Sequence, residues 1–277
     1  MIDWLYQGLV LPFSFPVMRE AAMIAVIVAL PAALISCFLV LKGWALIGDG
    51  ISHAVLPGIV LAHLAGLPLL IGAFGAGMIC ALASGWLDAN SRIKPDTALG
   101  VVMSGMFALG LALILAFPGQ LHLSHLLFGN ILGITRADFA QSAPIAAAVT
   151  VIVLLKWRDF ALMAFDPVQA RAAGLAAGWL HYGMLAMISA MVVAMLSAVG
   201  IILAVGLLIA PGAIAFLLVR RLSQMLVVAS LVATLSSLAG IWASFWLDSA
   251  PAPTIIVILT GVFVLAFAWR QVAAVRA

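Results

Sequence analysis

The sequence predicts an all-α, polytopic membrane protein with about eight or nine transmembrane helices, some of them broken by proline or glycine. Hydrophobic residues make up 67% of the 277 residues and charged residues only 8%, whereas soluble domains are about 45–50% apolar and about 25% charged. Polar residues divide the chain into apolar runs of about 20 residues, the length of a helix that crosses the hydrocarbon core. Because no linker divides the chain, we expect one transmembrane domain over residues 1–277.

Apolar runs between charged residues place the individual helices. Pro57-Gly58 interrupts the second run and Pro211-Gly212 the seventh, so both helices are expected to be broken. Cys37 and Cys80 lie within apolar runs, where a free cysteine behaves as a small buried hydrophobe. The candidate spans cover residues 20–41, 45–65, 68–87, 98–117, 139–156, 181–199, 201–219, 224–246 and 254–269.

The basic residues predict the orientation, because lysine and arginine gather in cytoplasmic loops. If nine spans start with the N-terminus outside, only Arg19 and Arg136 of the 12 basic residues face the exterior. We therefore expect the N-terminus outside and the C-terminus inside; a count of eight spans would move one terminus. The small formal charge of +3 gives no indication of nucleic-acid binding. The residues assigned to the cytoplasm are Lys42, Arg92, Lys94, Lys156, Arg158, Arg171, Arg220, Arg221, Arg270 and Arg276.

The second span carries an acid and an imidazole, in the segment Gly48-Asp49-Gly50-Ile51-Ser52-His53-Ala54. Asp49 and His53 are four residues apart, so they lie on one face of a helix. Ionisable groups within a bilayer are costly and mark functional sites, and one oxygen and one nitrogen ligand suit a divalent transition metal. We interpret the pair as a metal site in a transport pathway. The alternatives are a helix-end cap for Asp49 and a histidine paired with a neighbouring helix.

Pro57 is an independent argument for a polar pathway beside His53. Its nitrogen carries no hydrogen, so the carbonyl of His53, four residues earlier, loses its helical partner. An unpaired carbonyl within a membrane must find another partner or line a polar cavity. Pro211 likewise leaves the carbonyl of Leu207 without its helical partner. This position is interpreted either as part of a pathway or as a packing kink.

Two protein ligands are too few for a closed structural metal site, which generally has four. A transporter that must release its metal, or a dimer in which each copy supplies both groups, would account for the small number. The only glutamate is Glu20, and no lysine is followed by serine or threonine, so the sequence has neither a His-Glu-x-x-His motif nor a phosphate-binding loop. We expect no enzymatic activity and no permanently bound cofactor, only a transported divalent ion.

The polar stretch after the fifth span predicts a short helix at the cytoplasmic surface, near residues 165–176. Asp166 is placed for an N-cap, Pro167 for the first helical position and Gly174 for the stop, with Ala170 between them. From these residues alone, an ordinary interfacial helix and a functional one both remain open.

Four further histidines are single or loop residues. His122 and His125 fall on the predicted outer side and are interpreted either as solvated loop histidines or as an entry vestibule or partner-docking surface. His63 and His181 stand alone at span ends and are expected to be structural.

The segment from Leu41 to Gly58 resembles the signature of permease subunits of ABC-type manganese, zinc and chelated-iron importers. The similarity continues through residues 91–97, 122–133, 166–174 and 199–211, and it is closest to the manganese and iron branch. Members of that family usually carry alanine where Gly50 stands.

The resemblance implies gate residues at Asp49 and His53 and an ATPase-contacting helix from Asp166 to Gly174. It also implies three partners: ATP-binding subunits, an extracytoplasmic metal-binding protein, and a second permease copy or a related permease. The expected location is the bacterial cytoplasmic (inner) membrane, in contact with lipid.

The expected function is ATP-driven import of Mn²⁺ or Fe²⁺, with Zn²⁺ also open, by alternating access. Because a metal binds the neutral imidazole, uptake should fall as the pH drops. An alternative is a proton-coupled secondary metal-ion transporter with Asp49 as proton carrier, which gives the Asp166 helix no role. An intramembrane metalloenzyme would lack a general-base glutamate and a third clustered ligand.

Overall fold

The computed structural model describes residues 11–117 and 131–276. Within these ranges the chain forms α-helices and one short 3₁₀ turn, Ile131–Gly133, and no strand. The helices are α1 (Leu11–Ser14), α2 (Pro16–Lys42), α3 (Ile47–Ala54), α4 (Leu56–Leu64), α5 (Leu69–Asn90), α6 (Pro95–Ala116), α7 (Arg136–Phe165), α8 (Pro167–Ala172), α9 (Ala177–Leu218), α10 (Leu222–Leu247) and α11 (Pro251–Arg276).

Helix α9 reverses its direction at Gly200. A straight helix of its 42 residues would be about 63 Å long, twice the hydrocarbon core of about 30 Å. The backbone of Gly200 is non-helical, with φ 82° and ψ 170°. The first arm begins where the His181 ring contacts Trp44, and the second arm returns to Ser36, whose Oγ accepts from the Gly212 N–H at 2.8 Å. Both contacts lie near the C-terminal end of α2, so the two arms run in opposite directions.

Helices α10 and α11 continue this antiparallel order. At one end of α10 the Phe245 ring lies 5.6 Å from Phe15, and at the other the Cys37 thiol donates to the Met225 carbonyl at 3.6 Å. Helix α10 is therefore antiparallel to α2. Helix α11 then runs back, so α2 begins and α11 ends at opposite ends of the bundle. We call the end that carries Lys42, Lys94 and Arg171 the basic end.

The predicted all-α membrane architecture is confirmed. Eight helical stretches in the described chain are long and apolar enough to cross a membrane, with α3 and α4 counted together. The spans predicted at 181–199 and 201–219 are the two arms of α9, so counting the arms separately gives nine spans in the described chain. Two predicted ends were wrong: α7 continues to Phe165, past residue 156, and α11 continues to Arg276, past residue 269. The last turns of α7 hold an ion pair between Lys156 and Asp159 at 3.0 Å.

Helices α2 and α9 form the centre of the bundle. In an apolar stretch of 18 residues from each, 72% is buried inside the protein, against 17% in α6 and 22% in α7. The outer helices therefore present apolar side chains to lipid, where burial inside the protein is not required. Cys37 and Cys80 are buried free thiols, as predicted.

Candidate metal-binding site on a broken helix

The predicted juxtaposition of Asp49 and His53 is present on one face of α3. His53 Nε2 lies 3.9 Å from Asp49 Oδ1, and the two side chains are 35% and 36% exposed. That separation is too long for a hydrogen bond, so the carboxylate and the imidazole do not satisfy each other. Both groups remain accessible to a ligand that approaches this face.

The imidazole of His53 is half-buried and incompletely paired. Its Nδ1 is buried and has no hydrogen-bond partner within the described chain, while the ring lies 5.6 Å from the Phe107 ring. A structural histidine is normally hydrogen-bonded when buried. The missing partner therefore argues against the alternative of a histidine paired with a neighbouring helix.

Glycine and serine residues hold the opposite faces of α3 against its neighbours. A Cβ on Gly48 would lie 3.1 Å from Leu208 Cδ1, and one on Gly50 would lie 2.7 Å from Leu99 Cδ1. The Ser52 hydroxyl donates to the Gly48 carbonyl at 2.7 Å, which pairs this buried polar group within the helix. With these faces occupied, only the face of Asp49 and His53 is left open.

The site lies near the middle of the bundle. Ile51, between the two site residues, packs against Gly77 of α5. A Cβ on Gly77 would lie 2.9 Å from Ile51 Cγ2. The same part of α5 accepts a hydrogen bond from Ser189, whose Oγ donates to the Phe74 carbonyl at 3.2 Å. These residues fall near the centres of α5 and of the first arm of α9, so the acid and the imidazole lie deep within the membrane span.

The helix break predicted beside Pro57 is slight, because Val55 between the two helices keeps helical torsion angles, φ −70° and ψ −18°. Helix α3 ends at Ala54 and α4 begins at Leu56, with the turn at Val55. Pro57 is buried, and a Cβ on Gly58 would overlap the carbonyl oxygen of Gly72, so the backbones of α4 and α5 touch. The role of Pro57 in a pathway stays a prediction.

Helix α9 continues through Pro211, so the broken helix expected there is wrong; a side chain of α2 instead binds the backbone on either side of the proline. Ser36 Oγ donates to the Ile209 carbonyl at 3.1 Å and accepts from the Gly212 N–H at 2.8 Å. Ser36 and Pro211 are both buried. Of the two alternatives for Pro211, this arrangement supports the packing kink.

Asp49 and His53 are the whole ligand set that the described ranges bring together. No group of three or more His, Cys, Asp or Glu side chains within these ranges could hold a metal ion. His122 and His125 lie outside the described residues. The described ranges therefore offer two ligands at this site, and their role in metal binding stays a prediction.

The short helix α8 has the predicted capping. Asp166 Oδ1 accepts from the backbone N–H groups of Val168 and Gln169, both at 2.9 Å, and Pro167 follows as the first helical residue. Gly174 adopts φ 80°, a left-handed conformation that favours glycine.

Helix α8 has one buried residue and a partly apolar exposed surface. Ala170 is fully buried, whereas Phe165 and Val168 are 67% and 69% exposed. Gln169 and Arg171 are exposed beside Val168 on the same helix.

These features define a multi-pass α-helical membrane protein with an acid and an imidazole on a broken helix in its interior. The chain belongs to the ABC 3 transport family, whose model matches residues 14–270.

Two curated relatives are similar over almost their whole length. The chain is 48% identical over 265 residues to the chelated iron transport system membrane protein YfeD of Yersinia pestis, covering 96% of this chain and 89% of that protein. It is 41% identical over 255 residues to the manganese transport system membrane protein MntC of Halalkalibacterium halodurans, covering 92% and 87%.

A solved structure is similar in fold and sequence. PsaBC from Streptococcus pneumoniae, in complex with a Fab, matches with a TM-score of 0.83 and 32% identity, over 96% of this chain and 95% of that chain. The resemblance noted in the sequence is thus confirmed at the level of the family.

Proposed function

We propose that this chain is the membrane permease of an ATP-driven importer of divalent transition-metal ions, Mn²⁺ or Fe²⁺, with Asp49 and His53 holding the ion transiently. The observation that carries the proposal is the pair of an acid and an imidazole, 35–36% exposed and 3.9 Å apart, with the buried Nδ1 of His53 unpaired among the described residues. Membership in a transport family and relatives named for iron and manganese transport support it. Zn²⁺ fits the same ligands and binds them more tightly than Mn²⁺ or Fe²⁺.

The incomplete ligand set supports a pair of permeases around the ion. One chain supplies one oxygen and one nitrogen, and a second copy or a related permease facing it would double both. Two ligands per chain also keep binding weak enough for release, which a transporter needs. No resident cofactor is part of this proposal.

Helix α8 is the proposed contact for a cytoplasmic ATP-binding subunit, which would carry out ATP hydrolysis. The capped geometry of Asp166, the buried Ala170 and the exposed Phe165 and Val168 favour a rigid helix with a partly apolar outer surface. On the other face of the membrane an extracytoplasmic metal-binding protein would deliver the ion. Since the basic end carries Arg171 and Lys42, the positive-inside rule favours an orientation with this end in the cytoplasm and the N-terminus outside; the proposed location is the bacterial inner membrane.

The test is Mn²⁺ uptake by cells that express the complete transporter with Asp49→Asn or His53→Gln. Because each change removes one of two ligands, uptake should fall at least about tenfold. His63→Gln is the matched control, since His63 is an exposed histidine at the end of the same span and uptake should not change. Normal uptake in both site variants would refute the proposal.

A proton-coupled secondary transporter, with Asp49 as proton carrier, is not favoured, because the chain belongs to the ABC 3 transport family. Depleting ATP while the membrane potential is held constant separates the two mechanisms. Uptake that stops supports the ATP-driven importer, whereas uptake that continues supports proton coupling.

A further inference from the structure

We propose that the contact between the Trp44 and His181 rings is the mechanical link by which a movement of α8 reaches α3. The inference rests on the proposed function, because it concerns how the ATP-binding subunit controls the Asp49 and His53 site. Trp44 and His181 are thus positioning residues that touch neither the metal nor ATP. The sequence offered no sign of this contact, since the two residues are 137 positions apart.

The contact between Trp44 and His181 joins the connection between α2 and α3 to the first turns of α9. The Trp44 and His181 ring centroids lie 5.1 Å apart with an interplanar angle of 78°, the edge-to-face arrangement that aromatic rings favour. Lys42 Nζ lies 3.9 Å from the Trp44 ring centroid. The Tyr182 ring lies 5.3 Å from His181. The two contacts hold the pair from either side.

Trp44 is built into both the end of α2 and the start of α3. Its backbone N–H donates to the Leu39 carbonyl at 2.8 Å, and its backbone carbonyl accepts from the Ile47 N–H at 3.0 Å. The first turn of α3 therefore follows the backbone of Trp44. Asp49 lies in that first turn, so a displacement of Trp44 is passed to a site residue.

His181 is connected to α8 in the same direct manner. The Leu175 N–H donates to the Ala170 carbonyl at 3.0 Å, and the Ala177 N–H donates to the Leu175 carbonyl at 2.8 Å. These backbone bonds connect α8 directly to the start of α9. A push on α8 from its exposed surface thus moves His181.

A cavity of about 600 Å³ beside the link gives the rings room to move. The cavity opens to the surface, since Tyr182 and Trp86 in its wall are 54% and 65% exposed, so the rings are not close-packed on that side. Ile47 lines it, and Ile47 and Asp49 lie on opposite sides of α3 at 100° per residue. The cavity is therefore behind the site helix. Trp44, His181, Tyr182, Trp86 and Leu99 are among its lining residues.

The test measures coupling in the transporter purified with its ATP-binding subunit and reconstituted in liposomes. Trp44→Leu and His181→Leu should each reduce the Mn²⁺ transported per ATP hydrolysed at least about tenfold. Mn²⁺ binding without nucleotide should stay unchanged, since both ligands remain. Trp44→Phe and His181→Phe keep a ring in each place and should retain coupling, which also covers the case in which a leucine variant fails to fold.

The matched control is Trp86→Leu, which removes another tryptophan from the same cavity but not from the ring pair. The double variant of Trp44 and His181 should be no worse than either single variant, because both break one contact. Equal uncoupling by Trp86→Leu, additive effects in the double variant, or retained coupling in both leucine variants would overturn the link. The Asp49→Asn variant separates the two proposals. Normal uptake in this variant would contradict the metal site, whereas the Mn²⁺ transported per ATP hydrolysed in the Trp44 and His181 variants tests the link.

Discussion

Two Pro-Gly pairs each interrupt the hydrogen bonding of a helix in this molecule, and the polar groups beside these two breaks in the bonding differ. At both, the glycine lets two backbones touch: Gly58 meets the carbonyl of Gly72, and Gly212 meets the backbone of Ser36. At Pro211, where the helix itself continues, Ser36 supplies both a donor and an acceptor. Beside Pro57, the imidazole of His53 has a buried ring nitrogen without a partner among the described residues.

The difference shows that a Pro-Gly pair in an apolar run indicates only that two helices pack closely. The pairing of the neighbouring polar groups indicates whether the position serves packing or function. Backbone groups that are paired within the protein, as the Ile209 carbonyl and the Gly212 N–H are by Ser36, need no ligand. An acid and an imidazole left without partners are costly in a membrane. They are retained where a ligand passes, which is the reason to place function at Pro57 and packing at Pro211.

The largest expected effect tests what the two breaks share. In Gly58→Ala the new Cβ would overlap the Gly72 carbonyl oxygen, which is backbone and can move only if α4 and α5 separate. We expect a loss of about 3 kcal/mol in the free energy of unfolding, seen as a lower unfolding temperature in detergent. Gly75→Ala on α5 is the control, because nothing lies within 4 Å of its Cβ position. Equal unfolding temperatures for the two variants would contradict the close contact.

The next effect separates the two prolines by their influence on transport. Pro57→Ala restores an N–H that can donate to the His53 carbonyl, which straightens the helix beside the site. Mn²⁺ uptake should fall about fivefold or more, while the unfolding temperature does not fall. Pro211→Ala should leave uptake normal, because its break lies against Ser36. A similar loss of uptake in both variants would end the distinction between the breaks.

A smaller effect on stability is expected where Ser36 closes the second break. In Ser36→Ala the Gly212 N–H and the Ile209 carbonyl lose their buried partner, which costs about 1–3 kcal/mol of unfolding free energy. Uptake per folded molecule should not change. Ser230→Ala is the control, since its hydroxyl donates to Leu226 within its own helix at 2.8 Å. If the two variants are equally stable, the Ser36 bridge is not needed at Pro211.

Local spacing was enough to predict those features that depend on one helix turn. The Asp49 and His53 juxtaposition follows from their four-residue separation, and the cap at Asp166 follows from the adjacent Pro167. The break at Pro57 follows from one missing hydrogen. Each of these is set by residues that are neighbours in the chain.

Features that depend on distant residues were not predictable. The hydroxyl of Ser36 pairs with Gly212 across 176 positions, whereas the reversal at Gly200 lies where the predicted spans 181–199 and 201–219 meet. The end of α7 was wrong because Lys156 and Asp159 pair with each other and so do not stop the helix. The exposure of the Asp49 and His53 face likewise depends on what packs against the other sides of α3.

The smallest expected effect sharpens the comparison between a glycine that faces backbone and one that faces a side chain. A Cβ on Gly50 would lie 2.7 Å from Leu99 Cδ1, and the end of a leucine side chain can rotate away, whereas the Gly72 carbonyl cannot. Gly50→Ala also gains up to about 1 kcal/mol of helix propensity, which offsets the repacking. We expect an unfolding temperature within a few degrees of the native protein and normal Mn²⁺ uptake. A loss as large as that of Gly58→Ala would mean that Leu99 is held as rigidly as backbone, and that α3 cannot shift relative to α6 when the site opens.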